Sequence, residues 1–92
     1  MGLSDIPVDI TQLTMLEQIN VSNNKLNNLK RIEQLPNLKK IDASNNQISA
    51  LHQEMLDMWS IESLYLYGNP IVNTNPQLAQ IENNQDGLKK AL

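Results

Sequence analysis

The 92-residue sequence predicts an α/β solenoid: a short parallel β-sheet on the concave side, 3₁₀ or short helices on the convex side, and a helical C-terminal cap. Three observations predict it. The phrase VSNNKL at 21–26 returns as ASNNQI at 43–48. A wider frame, L-x-x-L-x-L-x-x-N-x-L, fits three stretches whose asparagines, Asn24, Asn46 and Asn69, lie 22 and 23 residues apart. The apolar residues between those stretches follow a template of their own.

The frames run Leu16–Leu26, Leu38–Ile48 and Ile61–Ile71, with Ala43 the one undersized member. Each opens with apolar residues at period two, the alternation of a strand with one buried face. Ile19 and Val21, Ile41 and Ala43, and Leu64 and Leu66 therefore point inward, and the first strand is placed at 18–22. A single coil cannot bury its apolar face alone, so stacking supplies the core.

The connectors agree with one another. Leu3, Ile6, Ile10, Leu13 and Leu16 share their offsets with Ile48, Leu51, Met55, Met58 and Ile61. Leu26, Leu29, Ile32, Leu35 and Leu38 do the same with one residue fewer. Offsets of three and four suit a short helix or 3₁₀ turns. Pro7 and Pro36 restrict the helical part of their connectors.

Asn24, Asn46 and Asn69 are read as a structural ladder. The chain turns inward after each strand, and a carboxamide can bond backbone groups on both sides of that turn. Beyond the third frame, NTNPQLAQIEN predicts a helix with Asn75 as N-cap, Pro76 at its first turn, and Leu78 and Ile81 facing inward. DGLKKAL adds Leu88 and Leu92 at helical spacing. Residues 1–92 are thus one domain, with repeats at about 3–26, 26–48 and 48–71 and a cap at 72–92. No matching cap precedes the first strand, which leaves an open edge. Either further repeats or a second copy could cover it.

On these frames and connectors the chain resembles the leucine-rich repeat family. LSDIPVDITQL is similar to the I-P-x-x-I-x-x-L connector of its intracellular Ras-suppressor and LAP-type members, and GNPIVNTNPQLAQI resembles the way such arrays end. The repeats cover residues 3–71. The resemblance implies a non-catalytic protein–protein interaction module whose partner binds the concave face. The outward strand positions supply that face: Gln18, Asn20 and Ser22; Lys40, Asp42 and Ser44; Ser63, Tyr65 and Tyr67. The two tyrosines are the residue type enriched at interface hot spots, although aromatics there could equally shield the last strand beside the cap. Trp59, at a polar connector offset, either packs on the cap or marks a second contact surface.

Other function classes find little support. The chain has no Cys and a single histidine, His52, expected to be solvated on a polar connector. Asp5, Asp9, Glu54 and Asp57 fall on the convex rim rather than in a cleft, so no catalytic residues, metal or cofactor are expected. A net charge of −3 and few aromatics disfavour nucleic acid. No stretch reaches the roughly 18 apolar residues of a membrane span. Absence of cysteine and of an N-terminal apolar core predicts a cytoplasmic location. Charge is uneven: Lys25, Lys30, Arg31, Lys39 and Lys40 crowd the middle, and acids dominate 54–86.

Overall fold

A computed structural model describes residues 4–56, 58 and 60–82. The expectations for Leu3, Asp57, Trp59, Leu88 and Leu92 lie outside the described residues.

The period-two alternation becomes three strands, β1 (Gln18–Asn20), β2 (Lys40–Asp42) and β3 (Ser63–Tyr65), paired in parallel in the order of the chain. Their register aligns Ile19 with Ile41 and Ile41 with Leu64, so equivalent frame positions stand side by side. Backbone bonding continues past the formal strands: Val21 N–H donates to the Asp42 carbonyl at 2.8 Å and Ala43 N–H to that of Tyr65 at 3.0 Å. The inward residues Ile41, Ala43, Leu64 and Leu66 are wholly buried.

The connectors pass behind the sheet as 3₁₀ turns at Val8–Gln12 and Ile32–Gln34 and as a one-turn helix, α1 (Gln53–Leu56). Pro7 stands at the N-cap of the first turn, where its missing N–H is harmless. Leu35, which precedes Pro36, is extended and ends the second turn, as the proline ring requires of its neighbour. The template residues Leu29, Ile32, Leu35, Leu38, Met55 and Ile61 are fully buried against the sheet. Each such side chain contributes roughly 1.5–3 kcal/mol by leaving water.

The doubled asparagine of each phrase divides two tasks. Asn23 and Asn45 adopt positive φ, 60° and 57°, and Gly68 takes the same place in the third frame at 80°. Glycine and asparagine tolerate this left-handed backbone best. A Cβ on Gly68 would also fall within 2.2 Å of Asn45 Oδ1, so glycine is required there on two grounds. The following asparagine in each frame carries the ladder.

The cap departs from expectation. Residues 75–82 are not one helix. A one-turn helix, α2 (Ile71–Thr74), is followed by a 3₁₀ turn at Pro76–Leu78 and a strand, β4 (Gln80–Ile81), antiparallel to β3. Asn75 makes no capping bond; its amide donates to Thr74 Oγ1 instead. Leu78 and Ile81 are buried as expected. The physical reason lies in the edge of β3, whose free backbone groups are satisfied by folding the chain back: Leu66 N–H donates to the Ala79 carbonyl at 3.0 Å.

At the other end β1 has no outer strand among the described residues. Ile6 and Ile10 are nonetheless buried, because the first connector packs against the second. Leu13 and Met15 are exposed, and Leu16 and Ile19 are only partly covered.

Candidate functional site

The turns beneath the sheet hold the concave face in place. Asn69 Oδ1 accepts the N–H groups of Asn46 and Ile48 at 3.2 and 3.0 Å, and its Nδ2 donates to the carbonyls of Ala43 and Leu66 at 2.9 and 3.0 Å. Asn46 repeats this one coil earlier. Its Oδ1 accepts Leu26 N–H at 3.1 Å, and its Nδ2 donates to Val21, Ala43 and Ser44 at 2.9–3.1 Å. Each carboxamide therefore fastens its own turn and the turn before it. Asn24, half-buried, donates to Val21 and Ser22.

Above this framework the register sets the outward residues in rows. Gln18, Lys40 and Ser63 form one, and Asn20, Asp42 and Tyr65 the next, with Gln80 of β4 beyond Tyr65. Ser22, Ser44 and Tyr67 make the third. The first two coils use one local device: Asn20 Oδ1 accepts both the N–H and the hydroxyl of Ser22, and Asp42 Oδ1 accepts both from Ser44. These bonds hold the polar side chains in fixed geometry. They also remove one expected contact residue. Ser44 is 2 % exposed, with its hydroxyl turned onto Asp42 and its row neighbours on either side, so it is not open to a partner.

The third coil substitutes tyrosines for that device. Tyr65 is half-buried. Its hydroxyl donates to Glu82 Oε1 at 2.8 Å, and Lys40 Nζ stands 5.6 Å from its ring centre, within cation–π range. The Glu82 hydrogen bond, then burial, then the Glu82 charge hold the Tyr65 phenol above its ordinary value. Tyr67 differs: it is 46 % exposed and is the one large aromatic open to solvent among the described residues. The Lys40–Tyr65–Glu82 cluster is invisible in sequence because it joins positions up to 42 residues apart, which meet only when β4 folds back on β3.

On the convex side His52 is not the solvated residue expected. It is half-buried, and its Nε2 lies 2.6 Å from Glu33 Oε1, while its Nδ1 is buried without a partner. Burial alone would raise the Glu33 carboxyl; hydrogen bonds from the His52 side chain and from the Glu33 and Arg31 amides, with the attraction of His52, outweigh it and hold the group below its ordinary value. The pair joins the second connector to the third. Arg31 beside it has φ 84° and donates from Nη1 to the Ile6 carbonyl, extending the tie to the first. Among the described residues, no helix is long and apolar enough to cross a membrane, and no cluster of three or more metal-binding side chains forms.

No family model and no curated protein matches the chain. Among solved structures, a leucine-rich repeat protein of Leptospira interrogans is similar, with 40 % sequence identity, a TM-score of 0.67 and 73 % of this chain covered. The match spans 17 % of that longer protein. The recurrent frame, the stacked parallel strands, the buried asparagine at each turn and this likeness agree: the chain belongs to the leucine-rich repeat family.

Proposed function

We propose that this chain is a non-catalytic protein-binding module that engages its partner on the concave face. Leucine-rich coils are interaction scaffolds in general, and the fold here provides a backbone fixed from beneath by Asn46 and Asn69. The observation that carries the reading is Tyr67, a large amphipathic side chain open to solvent just past the end of β3. Around it, Gln18, Asn20, Lys40, Asp42, Ser63 and Tyr65 offer donors and acceptors in fixed rows, and Ser22 lies at the margin. Tyr65 serves as the floor of this patch, since Lys40 and Glu82 clamp it.

The test is affinity capture on immobilised chain. Proteins retained by the wild type should be lost with Tyr67→Ala and with Lys40→Ala, and kept with Lys30→Ala on the connector side. Identical captured proteins for all four chains would remove the concave face from consideration.

A further inference from the structure

Among the described residues, three charged side chains stand on the outward side of the sheet: Lys40 and Asp42 of β2, and Glu82 just past β4. The fold provides partners for the two acids. Asp42 Oδ1 accepts the Ser44 N–H and hydroxyl at 3.2 and 2.8 Å, and Glu82 Oε1 accepts the Tyr65 hydroxyl at 2.8 Å. Lys40 is the exception. Its ammonium stands 5.6 Å from the centre of the Tyr65 ring, and among the described residues no carboxylate lies within 4.0 Å of it. Lys39, its neighbour in the chain, is already paired with Glu17 at 3.8 Å. An ammonium has three N–H donors and no acceptor, and a ring face attracts it without accepting a conventional hydrogen bond.

The surroundings of Lys40 add further donors. With Gln18, Ile19, Asn20 and Asp42 it lines a shallow depression of about 300 Å³ between β1 and β2. Gln18 is exposed beside it in the same row. Asn20 has its Oδ1 occupied by Ser22, so its Nδ2 is the group it offers. The depression therefore presents an ammonium and two carboxamides. A carboxylate is the group that takes both the charge and the N–H donors. Lys40 is also held in advance. A lysine side chain gives up roughly 2 kcal/mol of rotamer freedom when it is fixed. The Tyr65 ring beneath it, itself tied to Glu82, removes part of that loss before a partner arrives.

We propose that Lys40 selects the partner by an acidic side chain, an aspartate or glutamate of a protein segment lying across the concave face, seated in the depression between β1 and β2. This deepens the concave-face reading and rests on it. Tyr65 and Glu82 are positioning residues: the ring carries the ammonium, and the Glu82 bond carries the ring. A basic segment fits less well, because the face's own donors already occupy Asp42 and Glu82, and Lys40 opposes it.

A random peptide library displayed on phage, selected on the immobilised chain, tests this. Wild type should retain peptides enriched in aspartate and glutamate over the unselected library. Lys40→Gln should retain peptides without that enrichment, and Lys40→Glu should favour lysine and arginine instead. Synthetic copies of the acidic peptides should bind Lys40→Gln roughly tenfold more weakly than wild type. Added salt should weaken them on wild type and leave Lys40→Gln nearly unchanged. Tyr65→Phe keeps a ring under Lys40 and should stay close to wild type, whereas Tyr65→Leu should lose much of the acidic preference, with circular dichroism confirming that both chains are folded. Peptides that need Tyr67 yet carry no acidic enrichment, or an enrichment that persists in Lys40→Gln, would overturn selection by Lys40 and leave the concave face as the binding surface. Peptides indifferent to both Tyr67→Ala and Lys40→Gln, or none retained at all, would overturn the face and the proposal together.

Discussion

The Asn46 amide N–H donates to the side-chain oxygen of Asn69 at 3.2 Å, so two members of the asparagine column are bonded directly, one turn to the next. Both side chains are buried, and each bridges carbonyls of two successive coils. The column couples the coils through groups that water cannot reach, and its loss leaves buried donors and acceptors unpaired.

Replacing Asn46 with alanine leaves Leu26 N–H unpaired and takes one of two donors from three carbonyls, since Val21, Ala43 and Ser44 keep bonds from Asn24, Asn69 and the Asn23 N–H. The expected loss of stability is about 3 kcal/mol, the upper part of the roughly 1–3 kcal/mol for one buried group left unpaired, because three further bonds are lost with it. Asn46→Asp should cost at least as much, since it turns a carboxylate toward carbonyl oxygens. Asn24→Ala, at the half-buried end of the column, should cost about 1 kcal/mol. Urea unfolding of the three variants checks the order, and a cost at position 24 equal to that at 46 would refute it.

Gly68→Ala meets two obstacles, a φ of 80° and the Asn45 side chain at 2.2 Å from the new Cβ. The expected cost is about 2 kcal/mol, from strain in the left-handed region together with a steric clash. Asn45→Gly alone should be nearly neutral, because glycine accepts its φ of 57° freely. The double variant should recover part of the Gly68→Ala loss by removing the obstructing carboxamide. Thermal melts of the three chains decide this, and a fully additive double variant would exclude the clash.

Glu33 titrates below its ordinary value of 4.5 in the folded chain. A carboxyl depressed in this way stabilises the fold above its unfolded value, and the contribution disappears as pH falls through the folded value. Wild type should therefore exceed Glu33→Gln in stability at neutral pH, with the gap closing under acid conditions. Urea midpoints across that range measure it. A gap that widens toward low pH would contradict the assignment.

Tyr65 gives an independent readout of the cap. Its phenol lies above 10.0, chiefly through the hydrogen bond to Glu82. In a Tyr67→Phe background, Glu82→Gln should move the Tyr65 phenolate transition toward lower pH, followed by ultraviolet absorbance. An unmoved transition would mean that Glu82 does not hold the hydroxyl in solution. The same bond makes Tyr67→Ala, rather than a change at Tyr65, the clean probe of the concave face.

The repeat frame was legible because solenoid geometry imposes one residue type at each height. Every inward strand position needs an apolar side chain, and every turn needs a carboxamide, so Asn24, Asn46 and Asn69 are marked by spacing alone. The first asparagine of each phrase was harder to read. Its role is a backbone angle, and only the shared positive φ of Asn23, Asn45 and Gly68 displays it. Ser44 shows the reverse error: alternation places it outward, yet a hydrogen bond to Asp42 and its central place in the row bury it.

The amino-acid sequence by itself determined the coil, its period, its inward residues and the fastening of each turn, because these depend on neighbours at fixed chain separations. The tertiary structure alone decided what pairs with β3 and what the faces present. Helical spacing and an N-cap residue favoured a helix at 75–82, but the unsatisfied edge of β3 made a returning strand the better partner for those residues. The clamp on Tyr65 and the His52–Glu33 tie likewise join side chains from different coils. Such meetings follow from where the backbone turns, which a linear pattern does not record.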